Sequence, residues 1–437
     1  MKQLPEELLQ LICENLCPWG YTSCREIDNT LLATLRSLSL ANKALRRIAQ
    51  PVMLQTLNFE KRRWSQVRSL LRLVSKQPHL ARFVREITVP DWLSYEEEED
   101  EKHSSLSATE AHVIQGLAKG LPASQELRHR LHADLVAGSK DAEFTMLLSL
   151  CSKLEYLHAK LPGPLDNYWI QHFLAQAAES AAANLGFAGF RCLRHVELNT
   201  SESGGLELIT ITPLLCLPAL RKLSCWVLNC DEHEIPAIRS PIKSLQLRQA
   251  LLEEEGLGKL LAVCPDVNDL QIEWGFSFIS LLGDYDRWGG VLRKFGAKLV
   301  SLSIDISDCE EDEDLPIGTI GDLSSLSRLK TLTLPFDSLC DSELSVGDQL
   351  PLPDLLPPSL KTLYVWSSDT LNTRAKMKAY YDLQLTGLIH DTRFQALDKI
   401  TLDRVPMLKI DLKGTDWKLS REESKWATLS RFKWNEN

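Results

Sequence analysis

The sequence predicts an α/β chain in which a small N-terminal helical module leads into a solenoid of short parallel strands. Two patterns point there: leucines at helical spacing over the first fifty or so residues, and a short aliphatic pattern that keeps returning from residue 84 onward. Composition bounds the reading. At 437 residues, 44% hydrophobic and 25% charged, the chain is a normal folded protein and too long for one compact domain, although a repeat array can run this far.

The helical module comes first. Pro5 has no amide to satisfy and suits a first turn, and Glu6 and Glu7 sit where the helix dipole favours negative charge. Leu8, Leu9, Ile12 and Leu16 then recur at helical spacing, with Leu11 and Cys13 widening the apolar arc. A second helical stretch holds Leu31, Leu32, Leu35 and Leu38; a third holds Leu45, Ile48 and Ala49 beside Lys43, Arg46 and Arg47. Three short helices cannot bury that much aliphatic surface among themselves. Each large aliphatic left in water forgoes roughly 1.5–3 kcal/mol, so a partner surface is expected. The competing reading is an ordinary helical cap packed on the rest of the chain.

The run Leu4-Pro5-Glu6-Glu7-Leu8-Leu9-x-x-Ile12-x-x-x-Leu16, followed by Leu35-x-x-Leu38-x-Leu40-x-x-Lys43-x-Leu45-Arg46-x-Ile48-Ala49, resembles an F-box. In that family the module docks on the Skp adaptor of cullin-based ubiquitin ligases. The resemblance therefore implies adaptor contacts at Leu4, Pro5, Leu8, Leu9, Ile12, Leu16, Leu38, Leu40, Leu45 and Ile48. The segment from Cys17 to Thr30 is longer than the usual connection between the first two helices, and its Pro18-Trp19-Gly20 start reads as a loop.

The repeated pattern is an aliphatic residue, two variable positions, a second aliphatic, one variable position and a third aliphatic. It stands at Val84/Ile87/Val89, Leu193/Val196/Leu198, Ile242/Leu245/Leu247 and Val267/Leu270/Ile272, then at Leu299/Leu302/Ile304, Leu329/Leu332/Leu334, Leu360/Leu363/Val365 and Leu397/Ile400/Leu402. Weaker copies begin at Leu154 and Leu220. From Leu154 on, successive starts lie about 22 to 39 residues apart, against 20–29 in strict leucine-rich repeats. A short strand with alternate side chains inward satisfies the pattern, and stacked units would form a parallel sheet over a continuous apolar ladder. Some connections read as helices, such as Asp166 to Leu185 and Glu253 to Val263; the proline-rich Leu350 to Pro358 does not. These units resemble the degenerate leucine-rich repeats behind F-boxes in many fungal proteins. A general α/β domain with buried leucine-rich strands is the alternative. The expected organisation is an F-box over 1–57, a helical linker over 58–82, an irregular leucine-rich-repeat solenoid over 83–410 with its parallel sheet on the concave face, and a cap or tail over 411–437.

Strand alternation would put the intervening residues on the concave face, where solenoids bind partners. Trp226, Arg248, Glu273, Asp305, Tyr364 and Trp366 are the candidates there for contact with a target protein, because large aromatics beside charges are typical of interface hot spots. Packing under a neighbouring loop competes for each tryptophan. Two acidic runs, Glu96 to Glu101 and Glu310 to Asp314, read as solvated loops. At the end, Trp417, Trp426 and Trp434 interleave with Lys418, Arg421, Lys425, Arg431 and Lys433, and a helix capping the solenoid is expected there.

A formal charge of −10 argues against nucleic-acid or anionic-membrane partners, which need a basic surface. No charged-then-apolar leader and no membrane-length apolar stretch is seen, so a cytoplasmic or nuclear address is expected. The 11 cysteines show no disulfide framework. Neither Cys225/Cys230/His233 nor Cys13/Cys17/Cys24 has structural-zinc spacing, and His129 and His132, one helical turn apart, read as a solvated pair. No phosphate-binding glycine loop, nucleophile elbow or H-E-x-x-H appears, so no cofactor, metal or catalytic residue is expected. Two functions fit: a substrate receptor that links a Skp-type adaptor and its cullin ligase to a target protein, or a ligase-independent scaffold using the same surfaces.

Overall fold

The structure, a computed structural model, describes residues 5–16, 29–59, 64–89, 106–117, 125–161, 168–182, 190–200, 205–229, 235–250, 252–274, 285–306, 318–339, 350–366, 374–403, 410–422 and 426–431. The chain divides into two compact units, the first made of Met1–Ser203 with Cys216–Leu220, the second of Gly204–Leu215 with Arg221–Asn437.

The first unit opens with three helices, α1 (Glu6–Asn15), α2 (Asn29–Ala41) and α3 (Lys43–Gln55). Pro5 precedes the first turn of α1, and the Asn42 side chain caps α3 by accepting the Leu45 amide at 2.8 Å. The unit continues through β1 (Thr56–Asn58), α4 (Ser65–Lys76), a 3-10 turn (Pro78–Phe83) and β2 (Glu86–Val89). It then passes through α5 (Ala108–Leu117), α6 (Gln125–Ala137), α7 (Lys140–Leu150), β3 (Tyr156–Leu161), α8 (Tyr168–Ala182) and β4 (His195–Thr200). Its four strands pair in parallel in sequence order. The boundary expected at residue 57 falls inside β1, so the helical module runs straight into the sheet.

Helix α7 is buried along most of its length, carboxylates included. Each carboxylate has donors that justify its burial. Glu143 accepts from the Trp64 indole and, at 2.8 Å, from the Arg68 guanidinium. Asp141 accepts the backbone amides of Trp169 and Ile170, which open α8, where the helix dipole favours an anion.

The second unit contains β5 (Leu206–Glu207), α9 (Leu208–Leu215), β6 (Lys222–Trp226), β7 (Leu228–Asn229) and β8 (Ser244–Ala250). Next come α10 (Glu254–Val263), β9 (Asp269–Trp274), α11 (Tyr285–Phe295), β10 (Ser301–Asp305) and β11 (Thr331–Pro335). The unit closes with α12 (Leu352–Leu355), β12 (Thr362–Trp366), α13 (Arg374–His390), β13 (Lys399–Asp403), β14 (Trp417–Glu422) and β15 (Trp426–Arg431). Its sheet runs β6-β8-β9-β10-β11-β12-β13-β15-β14, parallel as far as β13 and antiparallel beyond, while β5 and β7 form a separate pair.

The expected inward ladder is present rung by rung. Leu245 aligns with Leu270, Leu270 with Leu302, Leu302 with Leu332, Leu332 with Leu363 and Leu363 with Ile400, all fully buried. The structure adds a fourth apolar position that the sequence reading did not isolate, three residues before the first aliphatic. The amides of Leu154, Leu193, Val267, Leu329 and Leu397 donate to the carbonyls of Cys151, Phe190, Cys264, Leu326 and Phe394, and those residues are themselves buried. A tight turn with an apolar anchor thus leads into these five strands. Burial pushes the thiols of two such anchors up, Cys151 to about 12 and Cys264 to about 11, as expected of inert core residues.

Two expectations are corrected. Leu352–Leu355 is a helical turn despite its prolines, because Pro351 precedes the turn and Pro353 lies within its first residues, where no amide is required. The C-terminal stretch is not a helix but a β-hairpin: β15 pairs antiparallel with β13 and covers the edge that β13 would otherwise leave open.

Candidate protein-interaction surfaces

The three N-terminal helices share a small core of Cys13, Leu35, Ile48, Ala49 and Val52, with Leu9, Leu16, Leu38 and Met53 packed against it. Not all their aliphatic surface fits. Leu8 is 46%, Leu11 54%, Ile12 45% and Leu40 67% exposed. Leu8, Leu11 and Ile12 stand at i, i+3 and i+4, so they share one face of α1. Pro5 is exposed and Leu45 half-buried; Leu4 lies outside the described residues. Ile48, expected at the adaptor contact, is corrected: it is 8% exposed, because it belongs to the core that holds the helices together. Leu9, Leu16 and Leu38 serve that core with one side. Leu11 joins the apolar face in the place of Ile48.

On the second unit's sheet the candidate target residues separate. Trp226 and Arg248 are register partners on β6 and β8, and the guanidinium lies over the indole at 5.1 Å. Glu273 and Asp305 are register partners on β9 and β10, which sets two half-buried carboxylates side by side. Tyr364, also half-buried, donates its hydroxyl to Asp403 at 3.1 Å across the β12–β13 diagonal. Tyr156 does the same to Glu197 in the first unit, also at 3.1 Å. Trp366 is corrected: it is 5% exposed, in register with Pro335 on one side and Asp403 on the other, and a broad ring on an inner strand is covered by such neighbours. Between these side chains the sheet presents Ser301, Ser303, Thr331, Thr333 and Thr362, all half-buried.

The Trp226–Arg248 pair sits on unusual backbone. Val227 has φ 54° and Gln249 φ 46°, each directly after one member of the pair. Left-handed backbone is costly for a β-branched residue, about 1–3 kcal/mol. The register shift between Leu247 and Ala250 marks the same bend. The Val227 carbonyl accepts the Leu206 amide at 2.7 Å, and its amide donates to the Arg248 carbonyl at 2.8 Å, so the bend is held from both sides. Nothing in the local sequence announces it, since valine is among the residues least suited to that conformation.

Among the described residues no group of three His, Cys, Asp or Glu is placed to hold a metal, and no helix is long and apolar enough to cross a membrane. His129 is exposed on α6, whereas His132 is half-buried with its Nε2 3.1 Å from the Ala108 carbonyl oxygen. Both acidic runs, Cys17, Cys24, Cys230, His233 and Trp434 lie outside the described residues.

No family model and no curated protein matches the sequence. Among solved structures, the chain is similar to a chain of the Rad7 and Elc1 complex in yeast at 16% identity, covering 84% of this chain and 90% of that one with a TM-score of 0.30.

Proposed function

We propose that the chain is the substrate-recognition subunit of a Skp–cullin–F-box ubiquitin ligase, docking on a Skp-type adaptor through its N-terminal helices and holding a target protein on its repeats. The observation that carries this reading is the exposed apolar face of Leu8, Leu11 and Ile12 on α1, with Leu40 exposed on α2, on a module whose own core is already filled by Cys13, Leu35, Ile48, Ala49 and Val52. Each of these side chains is already partly covered, so a partner that covers the rest contributes on the order of 1–2 kcal/mol apiece. The F-box-like run supplies the partner's identity. On the repeats, the Trp226–Arg248 pair on strained backbone is the preferred target contact, because strain of that kind is kept where positioning matters. The chemistry of ubiquitin transfer lies elsewhere; this chain contributes proximity.

The test is a pull-down of the full chain with and without Leu8→Asp and Ile12→Asp. The unaltered chain should recover a Skp-type adaptor and the double variant should lose it while keeping its melting temperature and its repeat-bound proteins. Failure of the unaltered chain to recover the adaptor overturns the reading. Accumulation of the repeat-bound proteins when the proteasome is blocked separates receptor from scaffold.

A further inference from the structure

The starts of the second unit's strands form another surface. Arg328 and Lys330 lead into β11, Lys361 leads into β12, and Lys399 opens β13; all four are exposed. Backbone bonds set the three strand starts side by side, with the Lys361 amide donating to the Lys330 carbonyl at 2.8 Å and the Asp398 and Lys399 amides to the Lys361 carbonyl at 2.9 and 3.3 Å; Lys330, Lys361 and Asp398 are thus neighbours, and Lys399 stands one position on, in register with Thr362. Adjacent strands lie about 4.8 Å apart, so four cations crowd onto three rungs. Asp398, half-buried, stands in the same row.

Like charges side by side on neighbouring strands repel and cost stability. Elsewhere along this unit carboxylates relieve such crowding: Asp266 takes Arg239 at 3.3 Å and Lys298 at 2.5 Å, and Arg393 holds both Asp391 and Asp354 at 2.7 Å. Among the described residues, Arg328, Lys330, Lys361 and Lys399 have no carboxylate within 4.0 Å. The chain is not short of acids to supply one, with 59 Asp and Glu against 49 Lys and Arg. Among the described residues these four cations stand without an ion pair and are open to an anion from outside the chain.

We propose that this row docks an acidic, extended segment of the target polypeptide. The inference rests on the reading of the repeats as the target-binding part and is independent of the adaptor contact. Three rungs span about 10 Å, which matches two or three acidic side chains on one face of an extended chain, where alternate residues recur every 6.6–7 Å or so. Thr331 and Thr362, each next to a lysine of the row, offer hydroxyls to the segment's backbone. A long nucleic-acid strand would run off this short patch onto a molecule of net charge −10, whereas a short acidic segment need not.

Fluorescence polarisation of labelled deca-glutamate with the full chain tests this, with deca-lysine and a ten-nucleotide oligothymidine as comparison probes. Deca-glutamate should bind, more weakly as salt rises, and Lys330→Glu combined with Lys361→Glu should weaken it by about tenfold or more with an unchanged circular dichroism spectrum. Lys330→Gln with Lys361→Gln should fall between the two, which guards against a reversal that merely unsettles the sheet. The Leu8→Asp/Ile12→Asp chain should bind the probe like the unaltered one. No binding of deca-glutamate, or binding indifferent to both double variants, overturns the proposal, and adaptor capture that persists shows that it fails alone. Tighter binding of oligothymidine than of deca-glutamate overturns the polypeptide as the occupant.

Discussion

Glu143 is fully buried, as is Arg68 nearly so, and each is tolerable only because of the other. Glu143→Ala strands a guanidinium and the Trp64 indole in the core and should cost about 3–5 kcal/mol, measured by urea unfolding. Glu86 behaves differently. Burial raises its carboxyl above the ordinary 4.5, against a smaller lowering from the Thr56 hydroxyl. A raised acid penalises the folded state wherever it is ionised, so Glu86→Gln should raise the melting temperature at neutral pH. That gain should fade as the pH falls through the shifted titration to 4.5, where the native carboxyl is protonated too. Two of the sheet's tryptophans, Trp226 and Trp366, make a third contrast. Trp366→Ala should cost about 3–5 kcal/mol as a core deletion, whereas Trp226→Ala should weaken target capture with a much smaller drop in melting temperature. In the sequence these two looked alike, since each closes its strand on the same side; only the neighbours on adjacent rungs distinguish them.

At the scale of elements, the strands were the most legible feature. Their period of two, with aliphatics at fixed offsets, translates directly into one buried face, and every second and third aliphatic of the full pattern is buried. The buried anchor before most strands was hidden because it varies from Cys151 to Phe190 to Gly296, chemically unlike residues that share only their burial, and β8 has the exposed Arg239 in its place. The C-terminal hairpin was missed because aromatic and basic residues at mixed spacing fit several structures, and the choice is made by the open edge of β13 rather than by the segment itself. Helix α11 depends on one glycine. A side chain at Gly289 would run into the Ile320 carbonyl, which also accepts from Arg293 at 3.0 Å. Gly289→Ala should therefore destabilise by about 1–3 kcal/mol, although alanine is the better helix former, and a calorimetric scan decides the sign.

At the scale of the whole chain, the F-box-like run gave the candidate partner but not the full contact surface. Helical spacing marks Leu8, Leu9, Ile12 and Ile48 equally as apolar; only the packing of three helices assigns Ile48 to the inside and leaves Leu11 outside. If the exposed set is a docking face, mixing the chain with the adaptor should slow amide exchange along α1 and leave α7, already buried, unchanged.

The carbonyl just ahead of each strand has a consequence for how such a protein grows. In the second unit the Arg221, Lys243, Asn268, Val300, Lys330 and Lys361 carbonyls each receive two amides from the following rung, at 2.8 to 3.3 Å. Alignment of successive rungs is thus settled where a strand begins, whatever the preceding connection contains. Lengthening a flexible connection twofold costs only about 0.6 kcal/mol in closure entropy. Evolution can therefore splice new sequence between rungs without disturbing their register, and an affinity tag grafted between β10 and β11 should leave the sheet intact.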